Sequence, residues 1–331
     1  MSEEGQRPGC FKFGCGGCLT LLALLLALLV IGGVLQAVGN RADRTVEEID
    51  RQVDLPLDGE QLAFATRSRE SGTVALPLSE SAESVLSQGV GEVRLDVSLT
   101  RLRIEPGPPG SQIRLEGDFE AARFELSETV EERDDGSWSY RLDFGPKRGF
   151  LGILMGAGNN PSNDLTLYIP RGVPLDLVGN IGIGESELEL GGLFLRNVRL
   201  DVATGDHGVS FSEPLQHAME DFRLDGATGV LKVGSLGNAS PLTAKIDHSV
   251  GDVLVDLTGS WTGDASILVD SAVGQIRVTV PEGVHVDLDR AGSTIGDSRI
   301  ALPEAEVPAD APRLGLRAES AVGEVRVTGP R

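Results

Sequence analysis

Seven glycines at nearly even intervals constrain this chain more than any other feature. Gly184, Gly205, Gly229, Gly251, Gly274 and Gly296 follow one another after 21, 24, 22, 23 and 22 residues, and Gly323 comes 27 residues later. Around them run IGIGESELEL (181–190), VATGDHGVSF (202–211), GATGVLKVGS (226–235), HSVGDVLVDL (248–257), SAVGQIRVTV (271–280), STIGDSRIAL (293–302) and SAVGEVRVTG (320–329). Apolar and polar residues alternate on both sides of the glycine, the period of a half-buried strand. A repeat of 22–23 residues with a fixed glycine describes the coil of a β-solenoid, in which no coil buries its inner face alone. The glycine suits a corner of positive φ, where a Cβ is costly. Six steps of about 4.8 Å give a column roughly 29 Å long. An echo, GVGEVRLDVS (89–98), extends the same corner to the region ahead of the repeat.

Strand periodicity also holds before the repeat, at Val93-x-Leu95-x-Val97, Leu102-x-Ile104, Ile113-x-Leu115, Phe124-x-Leu126, Leu165-x-Leu167-x-Ile169 and Leu175-x-Leu177. Pro-Gly, Asp-Asp-Gly and Asn-Asn-Pro turn signals bound these runs. No helical period longer than two turns occurs beyond residue 54, so the fold class is all-β. Residues 105–163, rich in Pro, Gly and charge, depart from a regular coil and leave the start of the column open. The solenoid domain is expected over 89–331.

The amino end reads differently. LTLLALLLALLVIGGVLQAV (19–38) is uncharged and, as a helix, about 30 Å long, which matches a bilayer core. It predicts one transmembrane helix behind a cytoplasmic tail of residues 1–18; Ala37-Val38-Gly39 also offers a signal-peptidase site, the competing reading. Residues 39–88 then form a juxtamembrane helix, seamed by Ala42, Val46, Ile49 and Val53, and a linker. Lys and Arg on the two sides of the segment do not settle its orientation. The thiols do: Cys10, Cys15 and Cys18 all precede it, which suits a reducing cytoplasm, with the Cys-free domain outside the plasma membrane.

The glycine-corner repeat, as in SVGDVLVDLTGS and SAVGQIRVTVPEGV, resembles the bacterial putative-adhesin β-solenoid domains. IGIGESELELGGLFLRNVRLDVATGDHGVSF resembles the related toast-rack domains of Lia-type envelope-stress modulators. The resemblance spans roughly residues 85–329. It implies a bacterial cell-envelope protein, a stacked β-column and no established enzymatic activity, and it brings no functional residues with it.

Chemistry has little raw material. The formal net charge of −21 repels phosphate backbones, so nucleic acid is excluded as a partner. With 4% aromatics and no GxSxG, P-loop or HExxH pattern, neither catalytic residues nor a cofactor or metal site is predicted. Glu185, Asp206, Asp252, Asp297 and Glu324, each after a corner glycine, read as solvated turn residues, with a cation-binding ladder as the sharper alternative. His207, His217, His248 and His285 read as surface or turn residues. In 146–158 Phe150, Leu151, Ile153, Leu154 and Met155 stand among glycines, as a cap on the column or as a contact with membrane or partner. The leading expectation is a non-enzymatic, membrane-anchored scaffold or interaction surface, adhesin-like or modulating an unknown membrane or envelope partner. A self-polymerising, bactofilin-like protein is the alternative, and a β-helical carbohydrate-active enzyme the remote one.

Overall fold

The computed structural model describes residues 46–53, 89–121, 123–133, 137–147, 163–303 and 306–330. Fifteen strands join in one sheet: β1 (Val46–Val53), β2 (Gly91–Val97), β3 (Thr100–Gly107), β4 (Ile113–Glu120), β5 (Phe124–Glu132), β6 (Trp138–Pro146), β7 (Asp164–Pro170), β8 (Pro174–Glu189), β9 (Phe194–Ser210), β10 (Asp221–Gly234), β11 (Thr243–Asp256), β12 (Ala265–Thr279), β13 (His285–Ile295), β14 (Ser298–Ala301) and β15 (Arg313–Thr328). The chain is all-β over these residues. Among them no helix is long and apolar enough to cross a membrane. The expected membrane segment 19–38 and the linker 54–88 lie outside the described residues, as does the apolar stretch carrying Phe150, Leu151, Ile153, Leu154 and Met155.

From β8 to β12 each repeat is one long strand with its glycine in mid-course, and successive strands pair in parallel with glycine beside glycine. All seven predicted glycines have φ between +127° and +151°. The stacking makes this a solenoid-like column. Leucine, isoleucine and valine on the inner side of both arms are buried, for example Leu200, Leu224, Ile246, Val269 and Leu316. A third, irregular side closes each coil and contributes Leu190, Phe211, Leu236, Leu257 and Val280 to the same core. That side has its own ladder of backbone bonds between coils, such as Phe211 N–H to Gly234 C=O at 3.1 Å and Leu257 N–H to Thr279 C=O at 2.9 Å.

At the amino-terminal end the two arms separate. β2 pairs with the first arm of β8 and β3 with its second, so together they make one coil. β2 then leads to β6 and β5, whereas β3 leads to β7, β4 and β1. Phe119 and Phe124 both pack on Phe144, at 5.4 and 5.5 Å between ring centres, and seal this end from within.

Two expectations are corrected here. The seam Val46–Ile49–Val53 does not form a juxtamembrane helix; residues 46–53 are β1, antiparallel to β4, because the free edge of β4 offers every backbone group a partner. The echo glycine Gly91 is no corner: it lies in β2 opposite Trp138, whose ring would be 2.1 Å from an added Cβ. The corner of that coil falls at Leu99, with φ +59°, and Thr100 takes the place beside Gly184. The far end of the column also departs from chain order. β15 lies between β12 and β13–β14, so the last coil is the Gly296 repeat and not the Gly323 repeat. The 27-residue interval from Gly296 to Gly323 takes in β14 and the return of the chain to β15.

Candidate interaction surface

The glycine corner brings the flanking residues of every repeat into rows along the column. The residue before each glycine forms the row Ile183–Thr204–Thr228–Val250–Val273–Val322–Ile295, paired neighbour to neighbour. These side chains point outward at the corner. Ile183, Val250, Val273, Val322 and Ile295 are 46, 46, 45, 40 and 66% exposed, and they make up five of the eight large apolar residues exposed to this degree among the described residues. β-Branched residues favour an extended backbone, which accounts for their type but not for their exposure. Beside them, two positions before each glycine, stand only Gly182, Ala203, Ala227, Ser249, Ala272, Ala321 and Thr294, so nothing tall shields the row.

Carboxylates line both flanks. Four positions before the glycine, Asp201, Asp225, Asp247, Asp270 and Glu319 stack on consecutive strands; immediately after it come Glu185, Asp206, Asp252, Glu324 and Asp297. Farther out, cations pair with some of them along the same strand. Arg223–Asp225 and Arg326–Glu324 are at 2.6 Å, Lys245–Asp247 at 2.5 Å, and Arg317 meets Glu319. Asp270 has Leu268 where its neighbours have a cation. Partial burial and the flanking charges of Asp247 and Glu319 hold its carboxyl above the usual range, with Arg317 and Lys245 offsetting part of the rise. Asp201, Asp206, Asp252, Asp270 and Asp297 make no ion pair among the described residues. Nor do three His, Cys, Asp or Glu side chains among them gather as a metal site would require.

Inside the corner the polar residues are buried. His207 and His248, expected at the surface, are 3 and 5% exposed. The small residue Gly226, stacked between Val202 and His248, leaves the space into which His248 Nδ1 leans. His207 Nδ1 lies 2.9 Å from Ser186 Oγ, and its Nε2 is buried without a partner. Burial holds the His207 pKa below its ordinary value, opposed by Asp206 and reinforced by His248. Ser271, Ser320 and Ser293 continue this inner row beyond His248, their hydroxyls also unpartnered. His217 stacks on Phe194 and His285 meets the Pro308 carbonyl at 2.9 Å, both half-buried.

Sequence reasoning passed over two amides that the structure makes central. Asn163, 2% exposed, donates to Leu99 C=O at 2.8 Å and accepts from Glu120 N–H at 3.2 Å, which pins the one corner that lacks glycine. Asn238 donates to Phe211 C=O at 2.8 Å and accepts from Ser260 N–H at 3.0 Å, joining three coils on the third side. A lone Asn after a turn signal gives no warning of either role. Trp138, Tyr140 and Trp261 are core residues, not a sugar-stacking platform.

The family described as the N-terminal domain of toast_rack, DUF2154, matches residues 67–236, slightly more than half of the chain. No curated protein matches it. The fold is similar to the crystal structure of a putative cell adhesion protein from Clostridium sporogenes, at 12% identity over 86% of this chain and 100% of that one, with a TM-score of 0.40. It is also similar to a putative adhesin from Bacteroides fragilis, at 11% identity over 87 and 98% of the two chains, with a TM-score of 0.33.

Proposed function

Because the chain belongs to the family of the N-terminal toast_rack domain, we propose that it is a non-enzymatic cell-envelope protein whose stacked-strand column works as an interaction surface. Residues 19–38 hold it in a bacterial plasma membrane, with the column on the outer face. Its contact is with another membrane or envelope protein, as an adhesin-like scaffold or as a modulator of an envelope-stress partner. The observation that carries this reading is the outer corner row: five exposed β-branched apolar residues collected in one line, where a purely structural surface would carry polar ones. The absence of chemistry in the reading is supported by the burial of Ser186 and His207, the one Ser–His contact among the described residues, inside the column.

The test is crosslinking in intact cells with residues 1–45 retained, followed by fractionation and mass spectrometry. The reading expects the chain in the membrane pellet after alkaline extraction, crosslinked reproducibly to one other envelope protein. Recovery in the soluble fraction would remove the anchor. A ladder of self-crosslinked species of growing size would replace the reading with a polymerising scaffold.

A further inference from the structure

Beneath the corner glycines of the far coils runs a seam of polar side chains. Three positions before the glycine, where the side chain turns inward, stand His248, Ser271, Ser320 and Ser293 on four consecutive rungs. His248, Ser271 and Ser320 are 5, 6 and 3% exposed. On the other arm, two positions after the glycine, the same coils carry Val253, Ile276 and Val325, which are fully buried and offer no polar side-chain atom. His248 Nδ1 and the three serine hydroxyls have no hydrogen-bond partner among the described residues. The other ring nitrogen of His248 lies 3.1 Å from the Gly229 carbonyl. A carbonyl only accepts, so in the neutral ring Nε2 carries the hydrogen and Nδ1 presents a lone pair. Neighbouring rungs stand about 4.8 Å apart, too far for one hydroxyl to reach the next and right for a single water bonded to both.

We propose that this seam binds a file of internal water, one molecule in each gap between His248, Ser271, Ser320 and Ser293. A dry seam would leave four polar groups unpaired, each at the full cost of its lost solvation. The file has a direction. Each serine donates to the water on its His248 side and accepts from the water on its other side, and the innermost water donates to the Nδ1 lone pair. The inner end is closed: His248 Nδ1 and Leu231 Cδ1 lie 2.6 and 2.7 Å from where a Gly226 Cβ would stand, so the two side chains take the place of the missing one. The outer end opens. Ser293 is half-buried on the last rung, and with Ser271, Ser320, Asp270, Glu319 and Gly292 it lines a cleft of about 510 Å³, far more than one water needs. Water therefore enters and leaves at the far end of the column. The inference concerns the interior and is independent of the proposed interaction surface.

The experiment uses the full chain in detergent. Oxygen-17 magnetic relaxation dispersion counts long-lived internal waters, and it is compared between the wild type and Ser271→Val with Ser320→Val. The double variant repeats the residue found at Val202 in the same inward row. Its methyl groups fill the file, so the long-lived signal should fall by the equivalent of at least about two waters. An unchanged signal would overturn the proposal. Thermal melts supply a second, independent sign. Ser320→Ala removes a bridging hydroxyl, so a wet file predicts a midpoint lower by about 2–4 °C. A dry, unpaired hydroxyl would be relieved by the same change, and a midpoint that stays or rises would overturn the proposal. Ser266→Ala, exposed on the outer face of β12, is the control and should move the midpoint by less than about 1 °C. Should the Val pair not fold, Ser271→Ala with Ser320→Ala takes its place in the relaxation measurement, with the same loss expected.

Discussion

The corner glycine is where a single residue decides the fold. At Gly251 an added Cβ would lie 1.8 Å from the Gly229 carbonyl oxygen, at a φ of +135°. Neither the backbone below nor the strand above can yield, so Gly251→Ala should cost about 2–4 kcal/mol. It should lower the thermal midpoint by at least ~4 °C by circular dichroism. Gly292, which has nothing within 4 Å of its missing Cβ, is the control: Gly292→Ala should be neutral within about 0.5 kcal/mol. Equal melting of the two variants would mean that the corner tolerates a side chain. His207 makes a second residue-scale prediction. Its folded pKa is depressed, chiefly by burial, while the unfolded chain takes up its proton near the ordinary 6.5. The unfolded state therefore binds more protons as the pH falls below that value, and stability present above about pH 6.5 is lost in that direction. Denaturant titrations at about pH 7.5 and 5.5 should show this loss, and His207→Gln should reduce it; an unchanged slope in the variant would place the titration elsewhere.

At the scale of elements, period-two alternation and the glycine spacing made the column legible from residue 174 onward, because each coil repeats the same local requirement. What stayed illegible depends on contacts far apart in sequence. The spacing of Val46, Ile49 and Val53 suits a helix face, yet β4 has an edge to fill and 46–53 fills it. Gly91 reads as a corner from its neighbours VGEVRL, but its missing side chain serves Trp138, nearly fifty residues on. Buried His207 and His248 are indistinguishable in sequence from turn histidines, since only the stacking of coils places the small Gly226 beside one of them. The exchange of the last two coils left one trace, the longer interval before Gly323. Its consequence is energetic. No residue of β13 or β14 is buried, and β13 breaks register between Leu288 and Arg290. Asp287, Asp289 and Arg290 on this outer edge discourage pairing with another sheet, as does the register break, which argues against end-to-end polymerisation here. The same features make it the weakest coil. Hydrogen exchange should reach completion over 285–301 well before 243–256, where strands are paired on both sides. Uniform protection across the two segments would contradict this order.

Over the whole molecule, an address read from composition meets a surface that exists only in three dimensions. The sequence shows the acidic residues after the corner glycines, but the second acidic row, Asp201 to Glu319, emerges only when the strands are set in register. Surface ion pairs of the Arg223–Asp225 kind contribute little stability singly. The corner row and the acidic rows beside it require that the strands stack glycine over glycine in the order β11, β12, β15, β13. Disulfide mapping tests that order most directly. In a full chain with Cys10, Cys15 and Cys18 replaced by Ser, Val273→Cys with Val322→Cys pairs adjacent rungs, whereas Val273→Cys with Ile295→Cys spans two. A disulfide needs its Cα atoms within about 7 Å, a separation that neighbouring strands satisfy and strands two apart do not. The account predicts rapid intramolecular oxidation of the first pair and none of the second. Oxidation of the second pair with the first left reduced would restore chain order to the column and contradict the corner row as described.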